Sequence, residues 1–254
     1  MLETAKKAAI LAGRKILSLR KRGLTFNNKK RLGDFVTDAD VASEQIILRE
    51  IRSRFPNHNF ISEEVGKIDN HSEYTWVIDP IDGTIPFSSG MPSFGISIGL
   101  IKEGKPYFGV INLPALNSLF WAERNKGAYL NGGRITVTKG KELLKSVIGF
   151  EFGYVGTRNV EMQKLLKPII DKVRYTPVLG STVVGLSYVA NGNLDAYIHS
   201  AHPWDYAAGV VIVEEAGGKV TDYEGRPIDW SKDWIDVFAS NGVIHEEILS
   251  LIKQ

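Results

Sequence analysis

The apolar run Trp76-Val77-Ile78, followed at once by Asp79-Pro80-Ile81-Asp82-Gly83-Thr84, constrains this chain more than any other stretch. The apolar residues read as the end of a buried strand. Pro80 has no N–H to give to a sheet ladder and disfavours helix at the residue before it, so the strand is expected to stop at Asp79 and the chain to turn. That turn brings Asp82 beside Asp79. Gly83 lets the backbone approach a ligand closely, and Thr84 stands where a helix can begin, with unpaired N–H groups facing an anion. Two ionised carboxylates about 4 Å apart repel by roughly 4 kcal/mol at an effective dielectric of 20, so the arrangement needs a shared proton or a cation. Carboxylates, a main-chain carbonyl and a hydroxyl are hard donors that favour Mg2+, Mn2+ or Ca2+, and the chain contains no cysteine. Asp-Pro and Asp-Gly are also ordinary turn makers, so other acids must decide between the two readings.

Two further stretches supply them. Asn59-Phe60-Ile61-Ser62 reads as a short strand running out into Glu63-Glu64, which places acids at a second strand end. Downstream, Pro203-Trp204-Asp205-Tyr206-Ala207-Ala208-Gly209 leads into Val210-Val211-Ile212-Val213, which places Asp205 near a helix start, as an N-cap or first-turn residue. Val41 to Phe55 carries Ile47, Ile51 and Phe55 at helical spacing, so Asp40 reads as an acid at that helix's N-terminus.

Taken together, Glu63-Glu64, the hexapeptide from Asp79 to Thr84, and Trp204-Asp205 with Ala207-Ala208-Gly209 resemble the inositol monophosphatase family of metal-dependent sugar phosphatases. Gly33-Asp34-Phe35-Val36-Thr37-Asp38-Ala39-Asp40 and Glu214-Glu215-Ala216-Gly217-Gly218 add weaker points of likeness, so the match spans nearly the whole chain. The resemblance implies a layered α-β-α-β-α sandwich of mixed α/β class, a homodimer, and two to three Mg2+ ions per site, with Mn2+ as a substitute. By the same resemblance Glu63, Asp79 and the carbonyl of Ile81 hold one ion, and Asp79, Asp82 and Asp205 hold a second. A third, weaker ion is shared through Glu63. Thr84, supported by Asp40, orients the attacking water. Such ion pairs activate water and neutralise a leaving oxygen, which implies direct in-line attack without a phosphoenzyme.

Substrate contacts are expected from Asp82, Gly83, Thr84 and Asp205, and from Gly180-Ser181-Thr182, whose plain reading is a helix N-cap. The segment Ile198-His199-Ser200-Ala201-His202-Pro203 departs from the animal inositol phosphatases, which carry a glutamate there for an inositol hydroxyl; Pro86 is a second departure. Inositol monophosphate or a similar small polyol or sugar phosphate is the expected substrate. Fructose 1,6-bisphosphate and histidinol phosphate are the alternatives within the family, and a non-catalytic binding or regulatory protein is the alternative outside it.

At 254 residues, with 43% apolar and 24% charged residues, the composition is that of a globular chain. No run of 18 apolar residues occurs, and the first residues read as an amphipathic helix rather than an export signal, so a cytoplasmic location without membrane attachment is expected. A net charge of +2 argues against a nucleic-acid partner. Arg14, Lys15, Arg20, Lys21, Arg22 and then Lys29, Lys30, Arg31 form a local basic cluster, read chiefly as cations at a helix C-terminus; the family resemblance implies that Lys29 or Lys30 helps to draw in phosphate.

Alternating patterns predict a mainly antiparallel sheet through Phe94–Leu100, Tyr107–Ile111, Leu119–Ala122, Ala128–Leu130 and Arg134–Val137. Past residue 140 the pattern becomes α/β: helix near 159–172, strand at 173–179, helix at 182–191 and strand at 194–198. Two parts are therefore expected, 1–140 carrying most of the acids and 141–254 contributing Asp205 and the substrate loops, with the site between them.

Overall fold

In the computed structural model, residues 1–28, 35–153 and 156–253 are described. Lys29, Lys30 and Arg31 lie outside them. The chain opens with α1 (Leu2–Arg22), an antiparallel pair β1 (Phe26–Asn28) and β2 (Phe35–Thr37), and α2 (Asp38–Arg52). The next strands are β3 (Asn59–Ser62), β4 (Gly66–Ile68) and β5 (Tyr74–Asp82), followed by the short α3 (Thr84–Ser88). A meander of β6 (Gly95–Lys102), β7 (Lys105–Leu113), β8 (Ser118–Glu123), β9 (Ala128–Leu130) and β10 (Gly133–Ile135) completes an eight-stranded sheet in the order β10-β9-β8-β7-β6-β5-β3-β4. Its pairs are antiparallel except β3 with β5.

Beyond it come β11 (Ile148–Phe150), α4 (Arg158–Glu161), α5 (Thr182–Ala190), β12 (Ala196–Ala201), α6 (Pro203–Glu215), β13 (Lys219–Thr221), β14 (Ile235–Ser240) and α7 (His245–Ile252). β11, β12, β14 and β13 form a second, four-stranded sheet in that order.

Hydrophobic patterning explains the stacking of these layers. The small residues Ala5, Ala8, Ala9 and Ala12 of α1, with Ile47 and Ile51 of α2, pack on Trp76, Ile78, Ile98 and Val110 on one face of the large sheet. Helices α5 and α6 are apolar almost all round, which suits elements buried on both sides. They fill the space between the sheets through Val183, Leu186, Val211 and Val213, against Ile111 and Phe120 on one side and Tyr197 and Val237 on the other. On the far face of the small sheet, Phe150 and Phe238 pack against Leu165, Ile248 and Leu249. The result is the expected α-β-α-β-α order. Among the described residues no helix is long and apolar enough to cross a membrane.

Helix α6 reaches the large sheet because the strands beneath it lack side chains at the crossing. A Cβ on Gly109 would lie 2.1 Å from the Ala208 carbonyl oxygen, and one on Gly99 would lie 2.9 Å from the Ala207 Cβ. Gly109→Ala should therefore lift the helix that carries Asp205 and destabilise the fold by roughly 2–4 kcal/mol, read from denaturant midpoints. An unchanged midpoint would contradict this account of the contact.

Several expectations need correction. β5 does not stop at Asp79 but runs to Asp82. Its pairing with β6 shifts between Asp79 opposite Ser97 and Asp82 opposite Gly95, a bulge that takes Pro80 off the ladder without ending the strand. The strand expected at 173–179 is reduced to one bridge, Val147 with Tyr175. Ile148 and Phe150 donate to the carbonyls of Tyr175 and Pro177, but Pro177 has no N–H to return. The helix expected over 159–172 breaks into α4, a π turn over Met162–Leu166 and a 3-10 turn over Ile170–Lys172. Pro168 cannot supply the donor that would continue it. The strand expected at 194–198 forms two residues later, as β12, and α2 ends at Arg52, before Phe55.

Candidate active site

Three elements meet at one cleft: the bulged end of β5, the loop into α5 and the first turn of α6. One carboxylate oxygen each from Asp79, Asp82 and Asp205 lies within 4.8 Å of the others. Glu63, at the end of β3, lines the same cleft of about 570 Å3, together with Ile81, Gly83, Thr84, Gly180, Ser181 and Thr182. The expected candidates are thus gathered, with Asp40 as the exception treated below.

Local chemistry holds each acid in place. Asp79 accepts from the Ile81 N–H at 2.9 Å, which closes the bulge on itself. Asp82 accepts from the Val183 N–H at 2.8 Å and from the Ser181 hydroxyl, so the first turn of α5 grips it across the cleft. Asp205 is the third residue of α6 and accepts from the His202 N–H at 2.8 Å, the first-turn position its spacing suggested. Gly83 adopts φ +83°, and a Cβ there would lie 2.8 Å from the Ser93 carbonyl and 3.0 Å from the Ser181 Cβ, so glycine is needed where the two loops touch. Thr84 donates its hydroxyl to the Ile81 carbonyl at 3.1 Å.

Asp40 closes a capping box at α2, accepting from the Thr37 N–H at 2.8 Å and from the Thr37 hydroxyl at 2.5 Å. Its helix-terminal reading is therefore correct. Ser181 is the N-cap of α5, accepting from the Val184 N–H, while the Thr182 hydroxyl lies 3.0 Å from His199 Nδ1. Both hydroxyls of the expected substrate loop are thus engaged within the protein.

Burial and mutual repulsion dominate the electrostatics of the three aspartates, in a cleft that Arg158 also lines. Burial pushes the Asp79 carboxyl well above its ordinary range, and the neighbouring charges of Glu63, Asp205 and Asp82 push it further. Asp205 is raised by burial and by Asp82, and Asp79 donates a hydrogen bond to it. Asp82 is raised to about 6 by burial, against the opposing hydrogen bonds of Ser181, Val183 and Thr182. No lysine or arginine of the described residues forms an ion pair with these three. Crowded oxygen donors, paired with no lysine or arginine of the described residues, fit a hard divalent cation and suit a soft one poorly.

Sequence reasoning missed two carboxylates that organise the cleft. Glu44 of α2 is 3% exposed and accepts from the Ser62 hydroxyl and from the Glu64 and Val65 N–H groups at 3.2 and 3.1 Å, so it clamps the loop bearing Glu63. Beside it, Ser43 donates to the Pro80 carbonyl at 2.8 Å. The signal was available, because Ser43 and Glu44 share the buried face of α2 with Ile47 and Ile51 at helical spacing. Glu151, just after β11, lines the cleft and is raised to about 7, by burial first. It too follows an apolar strand, Ile148-Gly149-Phe150, as Glu63 follows β3. Of the histidines, His199 lines the cleft as a neutral imidazole, pushed down to about 3 by burial, and His202 stacks on Trp204 at 4.3 Å.

Comparison with known proteins agrees with this geometry. A model of the inositol monophosphatase family matches residues 1–254. A Thermotoga maritima protein named fructose-1,6-bisphosphatase/inositol-1-monophosphatase is 37% identical over 236 residues, covering 91% of this chain and 88% of that protein. An inositol-1-monophosphatase of Synechocystis is 39% identical over 255 residues, covering 97% of this chain and 86% of that one. The crystal structure of the extragenic suppressor protein suhB from Bartonella henselae superposes with a TM-score of 0.94 at 32% identity, covering 100% of this chain and 98% of that one. With the whole length matched and the acids of three distant segments drawn into one cleft, the chain belongs to the inositol monophosphatase family.

Proposed function

We propose that this chain is a Mg2+-dependent phosphomonoesterase that hydrolyses inositol monophosphate or a similar small polyol or sugar phosphate. The observation that carries this reading is the convergence of Asp79, Asp82 and Asp205 within 4.8 Å in a cleft that also takes in Glu63. Glu63, Asp79 and the Ile81 carbonyl would hold one cation, and Asp79, Asp82 and Asp205 a second; Mn2+ suits the same donors. Bound there, the cations supply charge neutralisation for the phosphoryl oxygens and an acidified water.

The remaining work falls to the chain. Ser181 and the Val183 N–H keep one Asp82 oxygen engaged, which fixes the direction of the other. Thr84, aimed by its bond to the Ile81 carbonyl, orients the attacking water in line with the leaving oxygen. Gly83 leaves its backbone open to the phosphate. Asp40 supports this corner through the capping box that fixes the start of α2.

A sugar bisphosphate is the second reading. It is supported by the double name of the Thermotoga relative, fructose-1,6-bisphosphatase/inositol-1-monophosphatase. Phosphate release from inositol 1-phosphate, fructose 1,6-bisphosphate and histidinol phosphate at matched concentration, with Mg2+ and with a chelator, tests both. Mg2+-dependent release is expected, highest for inositol 1-phosphate. A preference above roughly tenfold for another compound, about 1.4 kcal/mol, would reverse the ranking, and no release from any compound would leave a binding protein on this fold.

A further inference from the structure

Glu151 is 8% exposed, yet it lines the cleft that holds the acid cluster. Its Oε1 accepts two amides of the loop before α5, the Leu179 N–H at 3.0 Å and the Gly180 N–H at 2.8 Å, and the Ser181 amide also favours its charged form. Oε2 makes no hydrogen bond within the described residues, and it is not among the side-chain oxygens sealed away from solvent. A glutamate more than nine-tenths buried thus commits one oxygen to the loop amides and leaves the other unbonded at the wall of the cleft. Retaining an acceptor at so much desolvation cost points to a ligand that satisfies it.

Resting on the phosphatase reading, we propose that Glu151 is a specificity-determining residue whose free oxygen accepts a hydrogen bond from a hydroxyl of the substrate's polyol or sugar. A carboxylate repels a phosphate group, so Glu151 faces the hydroxylated end of the substrate while the phosphoryl group sits at the cation-binding acids. The favoured substrates therefore carry a free hydroxyl on the alcohol that leaves. The same side chain spans two tasks, because the loop held by its Oε1 also presents Ser181 and Val183 to Asp82.

The test compares kcat/KM for myo-inositol 1-phosphate with that for cyclohexyl phosphate, the same ring without hydroxyls, in the Mg2+-loaded protein. Glu151→Gln keeps a carbonyl oxygen for the loop amides but offers the cleft an NH2 donor in place of an acceptor. The expected result is that the wild-type preference for the inositol ester shrinks by about tenfold or more in Glu151→Gln, chiefly through the inositol ester. Equal losses on both esters would show a role in holding the loop alone and would overturn the proposal, as would an unchanged preference. Should Glu151→Gln fail to fold, Glu151→Asp, which withdraws the carboxylate by one methylene, must shrink the same preference, and an unchanged value there also overturns it. A wild-type protein that releases phosphate from neither ester overturns the phosphatase reading, and this proposal with it.

Discussion

Asp82→Asn is expected to abolish Mg2+-dependent phosphate release while leaving the protein folded and, without metal, more stable than the wild type. The asparagine oxygen can still accept from the Val183 N–H and the Ser181 hydroxyl, so the grip of α5 on β5 survives. What disappears is one negative charge among three acids within 4.8 Å of one another. Changing even an outer partner of a metal ligand costs roughly 10–100-fold in affinity or activity, so loss of a ligand itself should cost on the order of a thousandfold or more. In the metal-free protein the sign is opposite. Raising the Asp82 carboxyl from 3.8 to about 6 means that its ionisation at pH 8 opposes folding by about 3 kcal/mol. The neutral asparagine removes that opposition, and a chain of this length should gain roughly 6–12 °C in Tm. Steady-state phosphate release and thermal unfolding with and without Mg2+ read both halves. A variant that keeps a tenth of the activity, or melts lower than the wild type in chelator at pH 8, would exclude this role for Asp82.

The metal-free protein is also expected to lose stability as pH rises from 6.5 to 8, and saturating Mg2+ should remove most of that loss. A carboxyl raised in the folded state contributes stability that is complete below its unfolded value and disappears as pH rises through the folded one. Asp82 finishes near pH 6 and Glu151 near pH 7, while burial raises Asp79 and Asp205 well above the ordinary carboxylate range. The buried histidines act in the other direction. His199, pushed down to about 3, and His245, pushed down to about 4, contribute stability that is complete above 6.5 and lost as pH falls. They offset part of the carboxyl effect below pH 6.5 and none of it above. The window from 6.5 to 8 therefore isolates the acids, at about 1.4 kcal/mol per pH unit for each carboxyl that keeps its proton when folded. A divalent cation held by the ionised cluster would add stability of RT ln(1 + [Mg2+]/Kd), about 2.7 kcal/mol at a hundred times Kd. Urea unfolding across this range decides the matter. A flat profile in chelator, or one equally steep with Mg2+, would mean that the buried acids do not govern stability in this range.

Much of this site was legible because its parts are local. Asp79 through Thr84 declare themselves as strand, break and turn within nine residues, and Ser62 ending β3 places Glu63 from alternation alone. The errors lie where one missing donor changed the outcome. Pro80 displaced a bulge rather than ending β5, since the neighbouring β6 could pair on both sides of it. Pro177 removed the one N–H that a parallel edge strand needed, and Pro168 cut a helix whose apolar spacing is otherwise sound. Glu44 and Glu151 stayed unread because a single acid in an apolar stretch is common, and its meaning depends on which loop amides the fold brings to it.

By itself the sequence determined the residue types of a hard-donor site, their order, the alternation that builds the large sheet, and membership of a family whose pattern recurs along the whole chain. Only the tertiary structure decided that α6 lies close enough for Asp205 to join Asp79 and Asp82, that Ser181 spends its hydroxyl on Asp82, and that Glu151 lines the same cleft. The physical reason is range. Propensity, turn chemistry and periodicity act over a few residues, whereas burial, charge repulsion and hydrogen-bond satisfaction depend on groups about a hundred positions apart, such as Asp82 and Ser181, with a separation of 99.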